Sequence, residues 1–217
     1  MTSDPENPGG ARRRPLHFFW LVDCSGSMQG SKILALNAAI REALPELCDA
    51  VADKPDVEVL MRAIRFSSTA DWHVGPEPVA LEQFAWPELE VDTLSDTGQA
   101  LELLCGELDI SKMPRRGSPP VILLISDGYA SDTARYHAAL QQLLSLPWGK
   151  RAVRLAIGVG QDHELDEDEL RAFNIDPKRP LLRARKGAEL VQKVKAAAIA
   201  ATLASLKVEI EFDDDGY

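Results

Sequence analysis

The stretch HFFWLVDCSGSMQGSK, residues 17–32, contains the feature that decides the fold. Phe18 to Val22 form a continuous apolar run, and Asp23 follows it directly. An apolar run that ends in polar residues indicates a short strand buried on both faces. Ser25 and Ser27 come next, at a spacing of two. The sequence therefore predicts three oxygen-bearing side chains at the end of one buried strand.

Strand-like and helix-like segments alternate along the rest of the chain. Strands are predicted at residues 16–22, 57–66, 121–126 and 153–159, with shorter candidates at 71–74 and 181–182. Amphipathic helices are predicted at residues 31–47, 96–108, 133–146, 166–173 and 188–206. Residues 75–92 are predicted to be an irregular connection, because they contain several prolines. This alternation predicts an α/β fold with a doubly wound, mostly parallel central sheet flanked by helices.

The length of 217 residues suits one large domain between two tails. Residues 1–14 are rich in Pro, Gly, Asn and Asp, which predicts a disordered N-terminal tail. Residues 15–206 contain all the predicted helices and strands and are assigned to the domain. Residues 207–217 are predicted to be an acidic C-terminal tail.

Composition excludes several classes of function. A net charge of −10 disfavours binding to nucleic acid or to an anionic membrane surface. No segment approaches the roughly 18 apolar residues that a membrane-spanning helix needs. Cys24, Cys48 and Cys105 are three in number and widely spaced, which argues against a disulfide scaffold or a zinc site. We therefore expect a cytoplasmic protein.

Three segments are expected to meet at one edge of the predicted sheet. They are Asp23 with the two serines that follow it, the loop LSDTG at residues 94–98, and Asp127 with its following glycine. Ligands bind outside the carboxyl ends of the strands in sheets of this type. Carboxylate and hydroxyl oxygens suit Mg²⁺ or Mn²⁺ better than zinc or copper. The sequence therefore predicts a divalent-metal site at this edge.

The same motifs resemble the metal-ion-dependent adhesion site, or MIDAS, of von Willebrand factor A domains. The first motif of that family, DxSxS, is matched by Asp23, Ser25 and Ser27, and the aspartate of its third motif by Asp127. The threonine of its second motif falls on Ser95, which keeps the hydroxyl group but lacks the methyl group. If the loop shifts, the corresponding ligand is Thr97.

This resemblance implies a fold, a metal and a mode of binding. It implies that the hydroxyls of Ser25, Ser27 and Ser95 contact the metal, while Asp23 and Asp127 act mostly through water. The open metal position would accept a Glu or Asp of a protein partner. The sequence is most similar to the bacterial TerY-like group associated with tellurium resistance. That similarity implies an adaptor in a stress-response or defence system, beside a Ser/Thr kinase and a phosphatase, and a chain that is itself phosphorylated on Ser or Thr.

Other interpretations of these residues remain open at this stage. Asp23 and the serines after it are also good helix caps. A Mg²⁺-dependent phosphohydrolase that uses Asp23 is the competing enzymatic hypothesis, although Ser25 stands where such enzymes place a second acid. A von Willebrand factor A scaffold that has lost its metal is a third, because of Ser95. The triplet Asp96-Thr97-Gly98 matches aspartic proteases, but a predicted helix follows it at once. We expect a binding protein and not an enzyme.

Overall fold

A six-stranded sheet forms the centre of the computed structural model, which describes residues 13–92, 96–178 and 180–211. Its strands are β1 (Arg14–Asp23), β2 (Val57–Phe66), β3 (Ala70–Ala80), β5 (Val121–Ser126), β6 (Val153–Val159) and β7 (Leu182–Ala184). Their order in the sheet is β3-β2-β1-β5-β6-β7, and β3 alone is antiparallel to its neighbour. Two short strands, β4 (Arg116–Gly117) and β8 (Ile210–Glu211), pair separately. The predicted mostly parallel α/β sheet is thus confirmed.

Helices cover both faces of the sheet. They are α1 (Ser31–Val51), α2 (Thr97–Glu107), α3 (Thr133–Ser145), α4 (Pro147–Arg151), α5 (Glu167–Phe173) and α6 (Gly187–Leu206). Helices α1 and α6 pack on one face, and α2 to α5 pack on the other. None of the described helices is long and apolar enough to cross a membrane.

Strand β1 lies in the middle of the sheet and separates the two hydrophobic cores. Phe18 and Trp20 face the core under α1 and α6, whereas Phe19 and Leu21 face the core under α2 to α5. None of these four side chains is exposed to solvent. Burial of each contributes roughly 1.5–3 kcal/mol relative to exposure. The apolar run therefore makes β1 a central strand. Its last residue, Asp23, lies at the carboxyl-terminal ends of the parallel strands.

Strand β3 and helix α1 depart from the predicted boundaries. Strand β3 extends to Ala80 instead of ending at residue 74, although it contains Pro76 and Pro78. Proline is tolerated there because β3 is an edge strand, where one row of backbone groups needs no partner. Helix α1 continues through Pro45, because its apolar side packs on the sheet on both sides of that residue. The missing N–H of a proline is outweighed by this packing.

Several short elements were not predicted. Strand β4 and helix α4 are too short to produce a periodic pattern of apolar residues. Strand β8 lies at residues 210–211, inside the segment predicted to be an acidic tail. The remaining tail predictions, residues 1–12 and 212–217, lie outside the described residues.

A row of hydrogen-bonded polar side chains links β1, β2 and the end of α2. The Arg62 guanidinium donates from Nη2 to His17 Nδ1 over 2.9 Å and from Nη1 to Glu107 Oε2 over 2.9 Å. It also lies 4.3 Å from the centre of the Phe19 ring. Burial lowers the pKa of His17 to about 3, and the charge of Arg62 acts in the same direction. His17 is therefore neutral in the folded protein at physiological pH.

We expect His17 to make the protein acid-sensitive. Its folded pKa lies below the ordinary 6.5, so protons bind the unfolded chain preferentially. Stability should be unaffected above pH 6.5 and should fall below it, by at most about 1.4 kcal/mol per pH unit. His17→Asn keeps an acceptor for Arg62 but removes the titration. Urea unfolding at about pH 7 and about pH 5 should show a smaller acid loss in this variant. An unchanged loss, equal to that of the exposed-site control His163→Asn, would contradict the assignment.

Candidate metal centre

The candidate site lies where the winding of the sheet changes direction. From β1 the chain first adds β2 and β3 on one side, and it later returns to place β5 on the other side. Crevices at such switch points, outside the carboxyl ends of the strands, are the usual ligand sites of doubly wound sheets. Asp23 ends β1 and Asp127 follows β5, and both side chains are at most 1% exposed. The fold therefore brings the two predicted aspartates to the same crevice.

Hydrogen bonds fix the carboxylate of Asp23 from both sides. The Ser25 backbone N–H donates to Asp23 Oδ1 over 2.8 Å, and the Ser126 hydroxyl donates to Oδ2 over 2.6 Å. The backbone N–H of Gly128 donates in turn to the Ser126 hydroxyl over 2.9 Å. Ser126 thus connects the turn after β1 to the turn after β5. Sequence reasoning did not assign it a role, although a serine at the end of an otherwise apolar strand was a usable signal.

The two serine hydroxyls of the first motif converge. Ser25 Oγ and Ser27 Oγ form a hydrogen bond with each other over 2.9 Å. Neighbouring oxygens around an octahedral Mg²⁺, with bonds of roughly 2.0–2.1 Å, are separated by roughly the same distance. The Ser25 residue is only 3% exposed, whereas Ser27 is exposed. The pair therefore leads from the buried carboxylates to the surface of the protein.

The site carries negative charge that burial makes costly. The pKa of Asp23 is raised to about 6, chiefly by burial and in smaller part by the charge of Asp127, while the hydrogen bonds from Ser126 and Ser25 act in the opposite direction. Asp127 makes no ion pair within the described residues, and its Oδ1 accepts a long hydrogen bond of 3.3 Å from the Tyr129 backbone. Two buried carboxylates so placed favour a cation between or beside them.

The second motif is only partly described. Ser95 lies outside the described residues, so its role as a ligand stays a prediction. Thr97, the alternative ligand, is the first residue of α2 and is only 4% exposed. It lines a small cavity of about 10 Å³ together with Ser126 and Gly128. Thr97 is therefore close to Ser126 and to the turn after β5.

The start of α2 is held by its neighbours. The Gly98 N–H donates to Asp132 Oδ1 over 3.1 Å, and the Ser131 hydroxyl donates to Asp96 Oδ1 over 2.6 Å. The Asp96 N–H donates to the carbonyl of Ser67, just after β2, over 2.6 Å. The triplet at 96–98 thus forms the start of helix α2, with Asp96 at its N-cap position. The segment after β5 and the turn after β2 therefore hold the start of α2, which contains Thr97.

The donor set fits a hard divalent cation. Within the described residues, no group of three or more His, Cys, Asp or Glu side chains is placed to hold a metal ion. A site of two aspartates and several serine or threonine hydroxyls contains too few of those residue types to form such a group. Its oxygen donors suit Mg²⁺ or Mn²⁺.

Comparisons with known proteins identify the fold. No family model matches the chain, and no curated protein matches it. Among solved structures, a von Willebrand factor type A protein from Catenulispora acidiphila matches with a TM-score of 0.66 and 16% identity, over 87% of this chain and 43% of the other. The ArnB paralog VWA2 from Sulfolobus acidocaldarius matches with a TM-score of 0.61 and 17% identity, over 85% and 45%.

A third neighbour was solved with metal. It is proximal thread matrix protein 1 from the mussel byssus, with a zinc-occupied MIDAS motif, and it matches with a TM-score of 0.60 and 14% identity, over 88% and 46%. The chain spans less than half the length of each of these three proteins. At such low identity, the similarity establishes the fold alone. The chain therefore has the fold of a von Willebrand factor A domain.

Proposed function

We propose that the chain is a divalent-metal-dependent protein-binding domain. The observation that carries this proposal is the convergence of the Ser25 and Ser27 hydroxyls, 2.9 Å apart, beside the turn that holds Asp23. The buried Asp127 follows the neighbouring strand. These groups offer oxygen ligands of the type and spacing that Mg²⁺ or Mn²⁺ requires.

The described residues support different roles for the serines and the aspartates. We assign direct metal contacts to Ser25, Ser27 and Ser95, with Thr97 as the alternative to Ser95. Both carboxylate oxygens of Asp23 already accept hydrogen bonds, which supports contact through water for that residue. Asp127 is assigned the same indirect role. The exposure of Ser27 leaves the outer side of the site accessible to a partner.

The partner group that fits such a site is a carboxylate. Few acidic ligands leave a bound Mg²⁺ as a strong Lewis acid, which can accept a Glu or Asp side chain of another protein. The chain has a net charge of −10, so most of its surface repels an acidic group. A bound cation would attract that group to the metal site. One structural neighbour is a pilus adhesin, SpaC from Lactobacillus rhamnosus GG, and another has a metal-occupied MIDAS motif. Both are in accord with a binding role for this fold.

The biological setting is a finer proposal. The motifs LVDCSGSM and AIGVG resemble the TerY-like group associated with tellurium resistance. We propose on this ground a cytoplasmic adaptor in a bacterial stress-response or defence system, with a Ser/Thr kinase or a phosphatase as partner. Kinase and phosphatase genes next to the gene for this chain would support the proposal, and their absence would count against it.

Geometry favours binding over phosphohydrolase chemistry. An aspartate nucleophile must present a carboxylate oxygen to the phosphorus atom. Asp23 has no exposed surface, and its two oxygens accept hydrogen bonds from the Ser25 backbone and the Ser126 hydroxyl. This arrangement supports a structural and electrostatic role for Asp23 within the metal site.

Partner capture with and without chelation tests the proposed function. The immobilised chain is exposed to a lysate of its source in Mg²⁺ or in EDTA, and the same protein is assayed for phosphatase turnover. We expect a retained partner that is lost with EDTA and in Ser25→Ala, and we expect no turnover. Turnover that Asp23→Asn abolishes would overturn the proposal in favour of the enzyme.

A further inference from the structure

A second binding surface lies at the opposite end of β1 from the candidate metal centre. It is a groove of about 1050 Å³, bordered by the first residues of β1 and β2 and by the segment that leads into β4. Arg14 begins β1 at the groove, and Asp23 ends it at the metal site. At about 3.3 Å per residue, the two sites are separated by roughly 30 Å. The groove is therefore independent of the metal site.

The floor of the groove contains a hydrogen-bond donor that no described residue accepts from. His17 lines the groove and is only 7% exposed. A guanidinium only donates hydrogen bonds, so the contact with Arg62 fixes Nδ1 of His17 as the acceptor. The neutral ring therefore carries its proton on Nε2. Within the described residues this Nε2–H has no protein acceptor, and Nε2 is not among the fully buried polar atoms, so it is open to the solvent of the groove. An acceptor atom of a ligand in the groove can therefore replace water at this donor.

Hydrogen bonds connect His17 on the floor of the groove to Lys112 on its rim. Glu107 accepts from Arg62 at Oε2 over 2.9 Å, and its Oε1 accepts from Lys112 over 2.8 Å. Lys112 in turn lines the groove. The chain His17–Arg62–Glu107–Lys112 holds the imidazole in one tautomer and one orientation. The site is thus preorganised before any ligand arrives.

The groove concentrates positive charge in an acidic protein. Among the residues that the structure describes, five cationic side chains and three carboxylates line it, although the whole chain has a net charge of −10. Arg116 pairs with Glu209, and Arg14 donates to the carbonyl of Leu206 over 3.2 Å. Arg13 is exposed at the mouth of the groove. The cationic residues are Arg13, Arg14, Lys112, Arg115 and Arg116.

Apolar side chains lie between the charged ones. Pro15, Leu60, Met113 and Pro114 all line the groove. A small inorganic anion would leave this surface and most of the volume unused. A polypeptide with both acidic and apolar side chains would cover the surface and pair with the arginines. Nucleic acid fits poorly, because the net negative charge of the chain repels a polyphosphate.

We propose that this groove binds an acidic polypeptide segment of a partner protein, in which carboxylates face the arginine rim and the His17 Nε2–H donor, and apolar residues lie on the floor. The domain would then have two protein-binding ends. One depends on a metal ion and the other on basic side chains.

The proposal is tested with a fluorescein-labelled octapeptide of alternating Glu and Leu. Binding is measured by fluorescence anisotropy, in EDTA, to the full chain. We expect Arg13→Glu with Arg115→Glu to weaken binding by about tenfold or more, and binding to fall steeply with added salt. The matched control, Arg135→Glu with Lys178→Glu, changes the same charge at exposed positions outside the groove and should bind nearly as the wild type does. His17→Asn should also weaken binding, with the fold checked by its melting transition.

Acidic residues near the C-terminus of the same molecule could compete with the peptide for the groove and hide its binding. The titration is therefore repeated on the full chain with Asp213→Asn, Asp214→Asn and Asp215→Asn. Failure of both proteins to bind the peptide at millimolar concentration would overturn the proposal. Equal binding of a Gln–Leu octapeptide, or equal loss of affinity in the control double variant, would also overturn it. Since EDTA is present throughout, these outcomes do not depend on whether the metal site exists.

Discussion

Replacing Ser25 and Ser27 together by alanine is expected to abolish the rise in melting temperature that Mg²⁺ or Mn²⁺ produces in the wild-type chain. Their hydroxyls lie 2.9 Å apart, and the exposed Ser27 opens the candidate site to solvent. An ion present at a hundred times its Kd stabilises the folded state by about 2.7 kcal/mol. For a domain of this size, that corresponds to a rise of roughly 5–10 °C. The double variant should show almost none of it in differential scanning fluorimetry.

A nearby serine provides the control. Ser31 is exposed at the start of α1, a few residues beyond the motif, and is not assigned to the metal. Ser31→Ala should keep the full metal-induced rise. If the double variant kept it too, the ion would bind elsewhere, and the assignment of the first motif would be wrong.

Gly98→Ala is expected to destabilise the protein and to weaken metal binding together. A Cβ at this position would lie 2.5 Å from Asp132 Oδ2, 2.7 Å from the Tyr136 backbone nitrogen and 2.8 Å from the Arg135 carbonyl carbon. Two of these atoms belong to the backbone of α3 and cannot rotate away. Overpacking of this kind costs about 1–3 kcal/mol. Because Gly98 follows Thr97, separation of α2 from α3 would also displace the second motif.

Gly106→Ala is the matched control for Gly98→Ala. It lies in the same helix, and a Cβ added there would meet nothing within 4 Å. Gly106→Ala should stabilise the protein by about 0.5–1 kcal/mol, because alanine loses less backbone freedom on folding than glycine does. Urea unfolding of the two variants should therefore give free-energy changes of opposite sign. Changes of the same sign would contradict the close approach of α2 and α3 at Gly98.

Much of the fold followed from patterns that reflect burial. The apolar segments at 16–22, 121–126 and 153–159 became central strands, because only strands covered on both faces lack polar alternation. The length of β3 could not be predicted, since edge strands tolerate prolines that would interrupt a central strand. Strand β4 and helix α4 depend on tertiary contacts and carry little periodicity of their own.

The sequence predicted those residues of the candidate site that belong to a short motif. It did not predict a residue that joins the site only through the folded structure. Asp23, Ser25 and Ser27 are close in sequence, and the rule for strand ends placed Asp127 beside them. Ser126 was missed because its role depends on a hydrogen bond to a residue 103 positions away.

The basic groove was also out of reach of sequence reasoning. His17 sits at the start of an apolar strand, and no motif in the sequence marks it as a binding residue. Only the contact with Arg62 shows which of its nitrogens faces the groove. Arg13 and Arg14 are distant in sequence from Arg115 and Arg116, so their shared charge appears only when the ends of β1 and β4 come together.

The central claim is that the chain binds one divalent cation at the edge of its sheet, and a Mn²⁺ titration followed by electron paramagnetic resonance tests it most directly. Bound Mn²⁺ loses its sharp aqueous signal, so free and bound ions are counted separately. We predict one bound Mn²⁺ per wild-type chain, displaced by Mg²⁺ and absent from the Ser25→Ala, Ser27→Ala double variant. A wild-type chain that leaves all added Mn²⁺ free in solution would contradict the claim and would favour a von Willebrand factor A scaffold that has lost its metal.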